Sequence, residues 1–583
     1  MRYDIVLVTY NSINWLNGCV KAIANAKYDL AQLNLIFVDN ASCDDTVNML
    51  HQLKLEHSGF GGFEIIQNRT NKGFGAACNL GANSGKSPFI FFLNTDTEVY
   101  PDLFCMLDEA MAAHAAAAYE CRQLPFETGH HIDPVTLCTS WASGAALVVK
   151  RELFTAISGF DENLFMYCED VDLSWRIRAT GADIVYVPTA RVTHYSYQNG
   201  GPKLSEYAGS FYGNLLLRYK YGGCKEILSG EKMYLGAIKR PLHFDNVRKV
   251  LCKNYLKHFV TLWPFLLYRL RHRNVLKART WHFENGFDAD RGLAKLEPFT
   301  HKPLVSIIVR TYDKKDYLRL ALISLSHQTY PNIEIIIAED GADTCREMVS
   351  KEFSQLNIKY INNAVRKGRA ANGNAGLDAA HGEYCMFLDD DDLLYPDHVE
   401  LFAAKAAENP CADMVLGSAM AMLVEAGENS PYPYKVAALQ SMVFSRIDIF
   451  NMCQSCRIPI QTVLFKRELY TKFGGMREDL NAHEDWAMWL KYLAHGKRIN
   501  KSASDITRIT SLFLQPASPE AAAKRLALYK ADDNAFYSDN SLRFDVSLAD
   551  MREYYKGVMA DFEHLYHEGK LEEYFSEAKD KYE

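Results

Sequence analysis

The chain has 583 residues, 48% of them hydrophobic and 23% charged, a globular balance that excludes a disordered, collagen-like or small disulfide-built protein. At roughly 100–200 residues per domain, it holds about three or four domains or two large ones. A formal net charge of −8 leaves no global footprint of nucleic-acid binding, so no nucleic-acid partner is expected.

MRYDIVLVTYN reads as a strand from the first residue, so no secretory signal is expected. No apolar run reaches the roughly 18–20 uncharged residues that a membrane span needs. The 14 cysteines are scattered, and Cys453 with Cys456 makes a C-x-x-C without a second pair to complete a zinc site. They are expected to be reduced, buried and cytoplasmic.

The chain then repeats an order of features. A β-branched run ends in Thr9-Tyr10-Asn11 and again in Thr311-Tyr312-Asp313, each followed by a helical pattern. A second apolar strand ends at Asp39, and its counterpart at Glu339-Asp340. A Gly-rich segment opens a helix at NKGFG and at RKGRA, which brings Lys72 or Arg369 near a phosphate or base if the backbone approaches a nucleotide. A third strand ends in Asn94-Thr95-Asp96 and in Asp389-Asp390-Asp391-Asp392. Later come Glu169-Asp170 and Glu484-Asp485. Strands alternating with helical patterns indicate βαβ units and a mainly parallel sheet, which places ligands beyond the carboxyl ends of its strands. Five shared features in one order imply two homologous α/β domains.

Between them, GNLLLRYKYG and NYLKHFVTLWPFLLYRLRHR read as helices, with Pro264 expected to kink or end the second. The apolar stretch from Phe259 to Tyr268, flanked by Lys253, Lys257, Arg269, Arg271 and Arg273, suits either a peripheral membrane contact over 253–273 or a helical bridge packed between domains. After about residue 512 the pattern gives way to Tyr- and Glu-rich amphipathic helices that pack on the second domain or mediate self-association.

Four consecutive carboxylates at Asp389–Asp392 repel one another unless a cation binds; Mg²⁺ or Mn²⁺ commonly takes one or two carboxylates plus substrate phosphates. A solvated acidic turn is the alternative. Asp170 and Asp485 suit proton abstraction from a hydroxyl, although acidic residues also favour helix starts through the dipole. His194 follows a strand and either completes a metal shell or is structural.

Together, Thr-Tyr-Asn, Val-Asp-Asn, Asn-x-Gly-Phe, the acidic strand end and the later Glu-Asp resemble inverting family 2 glycosyltransferases of the GT-A fold, over about 1–200 and again 302–512. The first half is most similar to rhamnosyltransferase-type members, and the whole to bifunctional enzymes of bacterial surface-glycan assembly, of O-antigen, lipopolysaccharide or capsule type. The resemblance implies two Rossmann-like GT-A domains, 1–200 and 301–512, a helical connecting region at 201–300 and a helical tail at 513–583. It implies Asp170 and Asp485 as catalytic bases, with Asp96, His194, Asp389 and Asp391 as ligands of Mg²⁺ or Mn²⁺. Asp39 and Asp340, with Glu339 as a substitute, would contact the nucleoside of a dTDP-, UDP- or GDP-sugar. Thr9, Lys72, Asn94, Thr311, Arg369 and Asp390 would complete the donor sites. Trp141 and Trp486 would shape acceptor pockets, buried core tryptophans being the equal alternative. Asn94 stands where many relatives have Asp, and KSASDITRITSLF lacks a histidine. One catalytic domain beside a silent, acceptor-binding one is therefore the competing reading. The acceptor is expected to be lipid-linked, met at the cytoplasmic face of the plasma membrane.

Overall fold

The computed structural model describes residues 1–195 except 128, 203–239, 246–272, 291–442 except 297, 452–495 except 454–457 and 481, and 503–518, with scattered positions up to 536. The expected helical tail beyond 536 and Cys456 lie outside the described residues.

The first half contains β1 (Tyr3–Thr9), β2 (Leu33–Asp39), β3 (Gly62–Gln67), β4 (Phe89–Leu93), β5 (Thr97–Val99), β6 (Ala118–Leu124), β7 (Phe126–Glu127), β8 (Ala146–Lys150) and β9 (Ile184–His194). Its sheet runs β3-β2-β1-β4-β8-β6-β9-β5. The four leading strands are parallel; β8 then runs antiparallel to both β4 and β6. After the short β10 (Ala294–Lys295), the second half repeats the plan with β11 (Val305–Thr311), β12 (Ile333–Glu339), β13 (Ile358–Asn362), β14 (Tyr384–Asp389), β15 (Leu393–Leu394), β16 (Met414–Asn429), β17 (Tyr432–Met442), β18 (Val463–Lys466) and β19 (Ala503–Pro516). Its order, β13-β12-β11-β14-β18-β16-β19-β15, matches the first, with β17 added beside β16. Two GT-A-like α/β units result. The sheets are mixed rather than simply parallel, because β8 and β18 return as antiparallel neighbours of the central strands.

Burial on both faces explains the near-continuous apolar runs of the central strands. The helices Phe74–Ser84 and Arg369–Asp378 approach β1 and β11 closely through glycines. A Cβ on Gly81 would stand 2.6 Å from Val6 Cγ1, and one on Gly376 would meet Ile308 Cγ2. This contact brings each Gly-rich loop to the carboxyl end of the sheet.

Three helices, Leu204–Tyr221, Cys224–Lys239 and Val247–Arg271, follow the first sheet. They pack on its unit: Leu216, Leu217, Tyr221 and Phe265 join Leu164, Val171 and Trp175. Buried Lys220 pairs with Asp161 and Asp172. The third helix runs through Pro264. The last strand likewise runs on to Pro516, past the expected limit at 512. Cys43, Cys224, Cys252, Cys411 and Cys453 are exposed, contrary to the expectation of burial.

The two units meet directly. β10 pairs with β7, Arg122 reaches Glu400 at 2.8 Å and Tyr432 donates to Asp133 at 2.6 Å. At the centre, buried Asp397 accepts from Arg291 and, at 2.8 Å, from Arg508. Burial opposes its charge, yet the guanidinium groups hold its carboxyl far below the usual range. Removing one partner of such a group strands the others without compensation. Asp397→Ala is therefore expected to cost about 3–5 kcal/mol, read as a lower urea midpoint of the full chain; an unchanged midpoint would contradict this.

Candidate active sites

Each site lies where the central strands end. In the first, Asp39 accepts from Thr9 Oγ1 at 2.9 Å and from the Ser42 backbone N–H at 3.0 Å. In the second, Thr311 Oγ1 donates to Asp390 at 2.9 Å. Both threonines are buried and hold these carboxylates in place. Asp340 accepts from the backbone N–H groups of Lys367 and Gly368 at 2.7 and 2.9 Å, which fixes the Gly-rich loop. Buried Glu339 accepts from Thr344 and from the Tyr360 hydroxyl.

A cavity of about 440 Å³ opens in the first site, lined by Tyr10, Trp15, Asn40, Asn94, Asp96 and Phe165 among others. Lys72 is exposed, and its backbone N–H donates to Asn40 at 3.3 Å. Gly73 adopts φ 90°, and a Cβ there would run into the Phe165 carbonyl, so the position requires glycine.

Asp96 and His194 come together, with Nε2 3.4 Å from Oδ1. His194 Nδ1 lies 2.7 Å from Gln123 Oε1, which anchors the ring from behind with Nε2 facing Asp96. Burial would raise the Asp96 carboxyl, but His194 holds it below its ordinary value. One carboxylate and one imidazole fit a hard divalent cation whose remaining positions are filled by phosphate and water. Among the described residues no group of three or more such ligands converges, so substrate oxygens would have to complete the shell.

Asp170 opens the helix Glu169–Ala179 and accepts from Gly144 N–H at 3.0 Å and Val171 N–H at 2.8 Å. Burial raises its carboxyl, against those two bonds. Gly144 ties it to the cavity: a Cβ there would touch both Phe74 and Asp170. Glu169 is buried with an unpartnered Oε2, and burial, then the charge of Asp170, push it well above the carboxylate range.

The second site is built from the same positions with different charges. Arg310 forks onto Asp389 at 2.7 and 2.9 Å and also reaches Glu484 at 3.0 Å. Asp389, expected as a metal ligand, therefore has both oxygens engaged by a guanidinium. Lys314 Nζ lies 2.5 Å from Asp391 and 3.3 Å from Asp390. Burial raises Asp390 to about 6, against the pull of Lys314. Arg369 stands 3.6 Å from Glu484. Asp485 opens the helix Glu484–His495; burial, then the charge of Glu484, push it up to about 7, opposed by Arg310.

The two tryptophans separate. Trp141 is half-buried beside His130, with its indole nitrogen unpartnered. Trp486 is 3% exposed, donates to the Met452 carbonyl at 2.6 Å and stacks on Phe536. It is a core residue and offers no open face to a sugar. Arg310 and Lys314 were not singled out from sequence. The repeat register carried the signal, since Arg310 and Lys314 flank the aligned Thr311.

Two repeated α/β units, each with a glycine-rich loop, an acidic strand end and a half-buried helix-start aspartate, define a GT-A-type glycosyltransferase. The family model described as Glycosyl transferase family 2 matches residues 4–171 and 306–468. The chain belongs to that family. An uncharacterized glycosyltransferase of Rickettsia typhi is 30% identical over 200 residues, covering 33% of this chain and 60% of its own length. One of Haemophilus influenzae is 28% identical over 190 residues, covering 33% and 62%. The chain thus spans about six tenths of the length of these relatives. Among solved structures, the Pyrobaculum calidifontis mannosyltransferase PcManGT, in complex with GDP-Man and Mn²⁺, is 13% identical, covering 48% of this chain and 88% of its own, with a TM-score of 0.34. S. aureus TarS is 12% identical, covering 46% and 55%, with a TM-score of 0.31.

Proposed function

We propose that both units are transferase sites, each passing a sugar from a dTDP-, UDP- or GDP-sugar to a growing bacterial surface glycan of O-antigen or capsule type. The observation that carries this reading is the repetition, at the mouth of both sheets, of a half-buried helix-start aspartate, each accepting from the backbone N–H of the next residue and each with its carboxyl raised. A carboxylate raised in this way is a stronger base than a free one, and Asp485, at about 7, is suited to accept a proton near neutral pH. In each site the acceptor oxygen bonds to the anomeric carbon while the bond from that carbon to the diphosphate oxygen breaks. The acceptor proton passes to Asp170 or Asp485, and the single displacement inverts configuration. In the first site Asp96 and His194 would hold Mg²⁺ or Mn²⁺, which would offset the charge of the departing nucleoside diphosphate. Rhamnose as the first sugar rests on the sequence resemblance. A donor screen with release of nucleoside diphosphate as readout tests the reading: two accepted donors support it, and no release with any donor refutes it.

A lipid-linked acceptor fits the helix Val247–Arg271. Leu256, Phe259, Val260 and Trp263 form one stripe, each more than half exposed, beside Lys253 and Lys257. Among the described residues no helix is long and apolar enough to cross a membrane, so the contact would be peripheral. Phe259→Ser with Trp263→Ser is expected to reduce cosedimentation with anionic vesicles severalfold; undiminished binding would remove this contact from the account.

A further inference from the structure

The repeat permits a position-by-position comparison of charge. Val8 and Arg310 each precede the threonine that closes the central strand. Ser12 and Lys314 each lie three residues beyond it. Phe74 and Arg369 each open the helix after a glycine of positive φ. Three uncharged side chains of the first site thus become three cations in the second. The reverse change occurs at the ligand: β9 sets His194 opposite Thr97, next to Asp96, whereas continuing the β15–β19 register by one residue sets Phe513 opposite Asp392, next to Asp391. The carboxylates follow the same logic. Each glutamate keeps one unpartnered oxygen, but Glu169 has no cationic partner at the Val8 position, while Glu484 shares Arg310 with Asp389. Asp390 and Asp391 share an ammonium that is itself 43% exposed at the mouth of the site.

A hard divalent cation needs free carboxylate oxygens. In the second site the fork of Arg310 uses both oxygens of Asp389, the imidazole is replaced by phenyl, Lys314 already spans Asp390 and Asp391, and Asp392 is buried and accepts from the Leu514 N–H at 3.2 Å. The residues present do not fit the metal that the first site fits. From this disagreement we infer that the second site binds the diphosphate of its donor without a divalent cation, with the Lys314 ammonium supplying the charge. This rests on the reading of the second unit as a nucleotide-sugar site. Lys314 is half-exposed and flexible, so it can turn from Asp391 to a phosphate while Arg310 continues to neutralise the buried acids.

The test is calorimetric titration of UDP, GDP and dTDP into the full chain, in Mn²⁺ and in EDTA. His194→Ala is used to impair the first site. The His194→Ala protein is expected to bind one of the three nucleotides equally well in both buffers. Adding Lys314→Ala is expected to weaken that binding by roughly 10- to 100-fold, the scale of one charge-assisted contact. Lys314→Arg, which keeps the charge, is expected to restore most of it, which a merely damaged fold would not do. Binding by the His194→Ala protein in Mn²⁺ alone would overturn the inference and leave the two-site reading intact. Absence of binding in both buffers would overturn both. EDTA-resistant binding indifferent to Lys314→Ala would also overturn it.

Discussion

Asp485→Asn is expected to lower transfer at the second site by about 10²–10⁴-fold, the usual span for a lost general base. The amide is nearly isosteric, and its oxygen still accepts the Trp486 N–H bond that Asp485 makes at 2.7 Å. The fold should therefore survive. Burial and Glu484 raise the Asp485 carboxyl to about 7, so the base is protonated and idle in acid. Wild-type rate at this site should rise as pH climbs through about 7 and then level off. The stability effect has the opposite direction. A carboxyl raised in the folded state binds its proton more tightly there than in the unfolded chain, so folding loses stability as pH rises from the ordinary carboxylate range through about 7. At pH 8 the Asn protein should melt no lower than wild type, while transferring far more slowly. Wild-type transfer by Asp485→Asn, or a flat pH profile, would remove Asp485 from the base role.

The second large effect belongs to the first site. Asp96→Ala removes the carboxylate that faces His194 Nε2 at 3.4 Å and leaves one protein donor. First-site turnover is expected to fall by roughly 10²-fold or more, within the range for a lost charge-stabilising group. Excess Mn²⁺ should restore little of it. Gln123→Ala is expected to act more mildly, by about 10-fold on metal affinity, since it orients the imidazole from behind. Full first-site activity of Asp96→Ala in EDTA would contradict the assignment.

Much of this was legible in the sequence because strand ends and helix starts are local. The runs closing at Thr9 and Thr311 and the acids following Leu93 and Leu388 declared both the sheet and its ligand edge. Trp486 was ambiguous because an aromatic beside an acidic helix start suits a sugar platform and a core equally; only Met452 and Phe536, distant in sequence, decide it. The fork of Arg310 onto Asp389 was hidden for the same reason, since 79 positions separate them and β11–β14 pairing brings them together. The interface around Asp397 draws Arg291 and Arg508 from opposite ends of the second half, a convergence that periodicity does not encode. The helix that contains Pro264 does not end there, and its neighbour Phe265 packs in one cluster with Leu164 and Trp175, contacts distant in sequence.

The central claim is that the chain carries two working sites. Its most direct measurement is product analysis of wild type, Asp170→Asn and Asp485→Asn proteins against one panel of nucleotide sugars and a short lipid-linked glycan. The account predicts two linkages from wild type, with Asp170→Asn losing one and Asp485→Asn losing the other. A single linkage, abolished by one substitution and untouched by the other, would contradict it and leave one unit without a catalytic role.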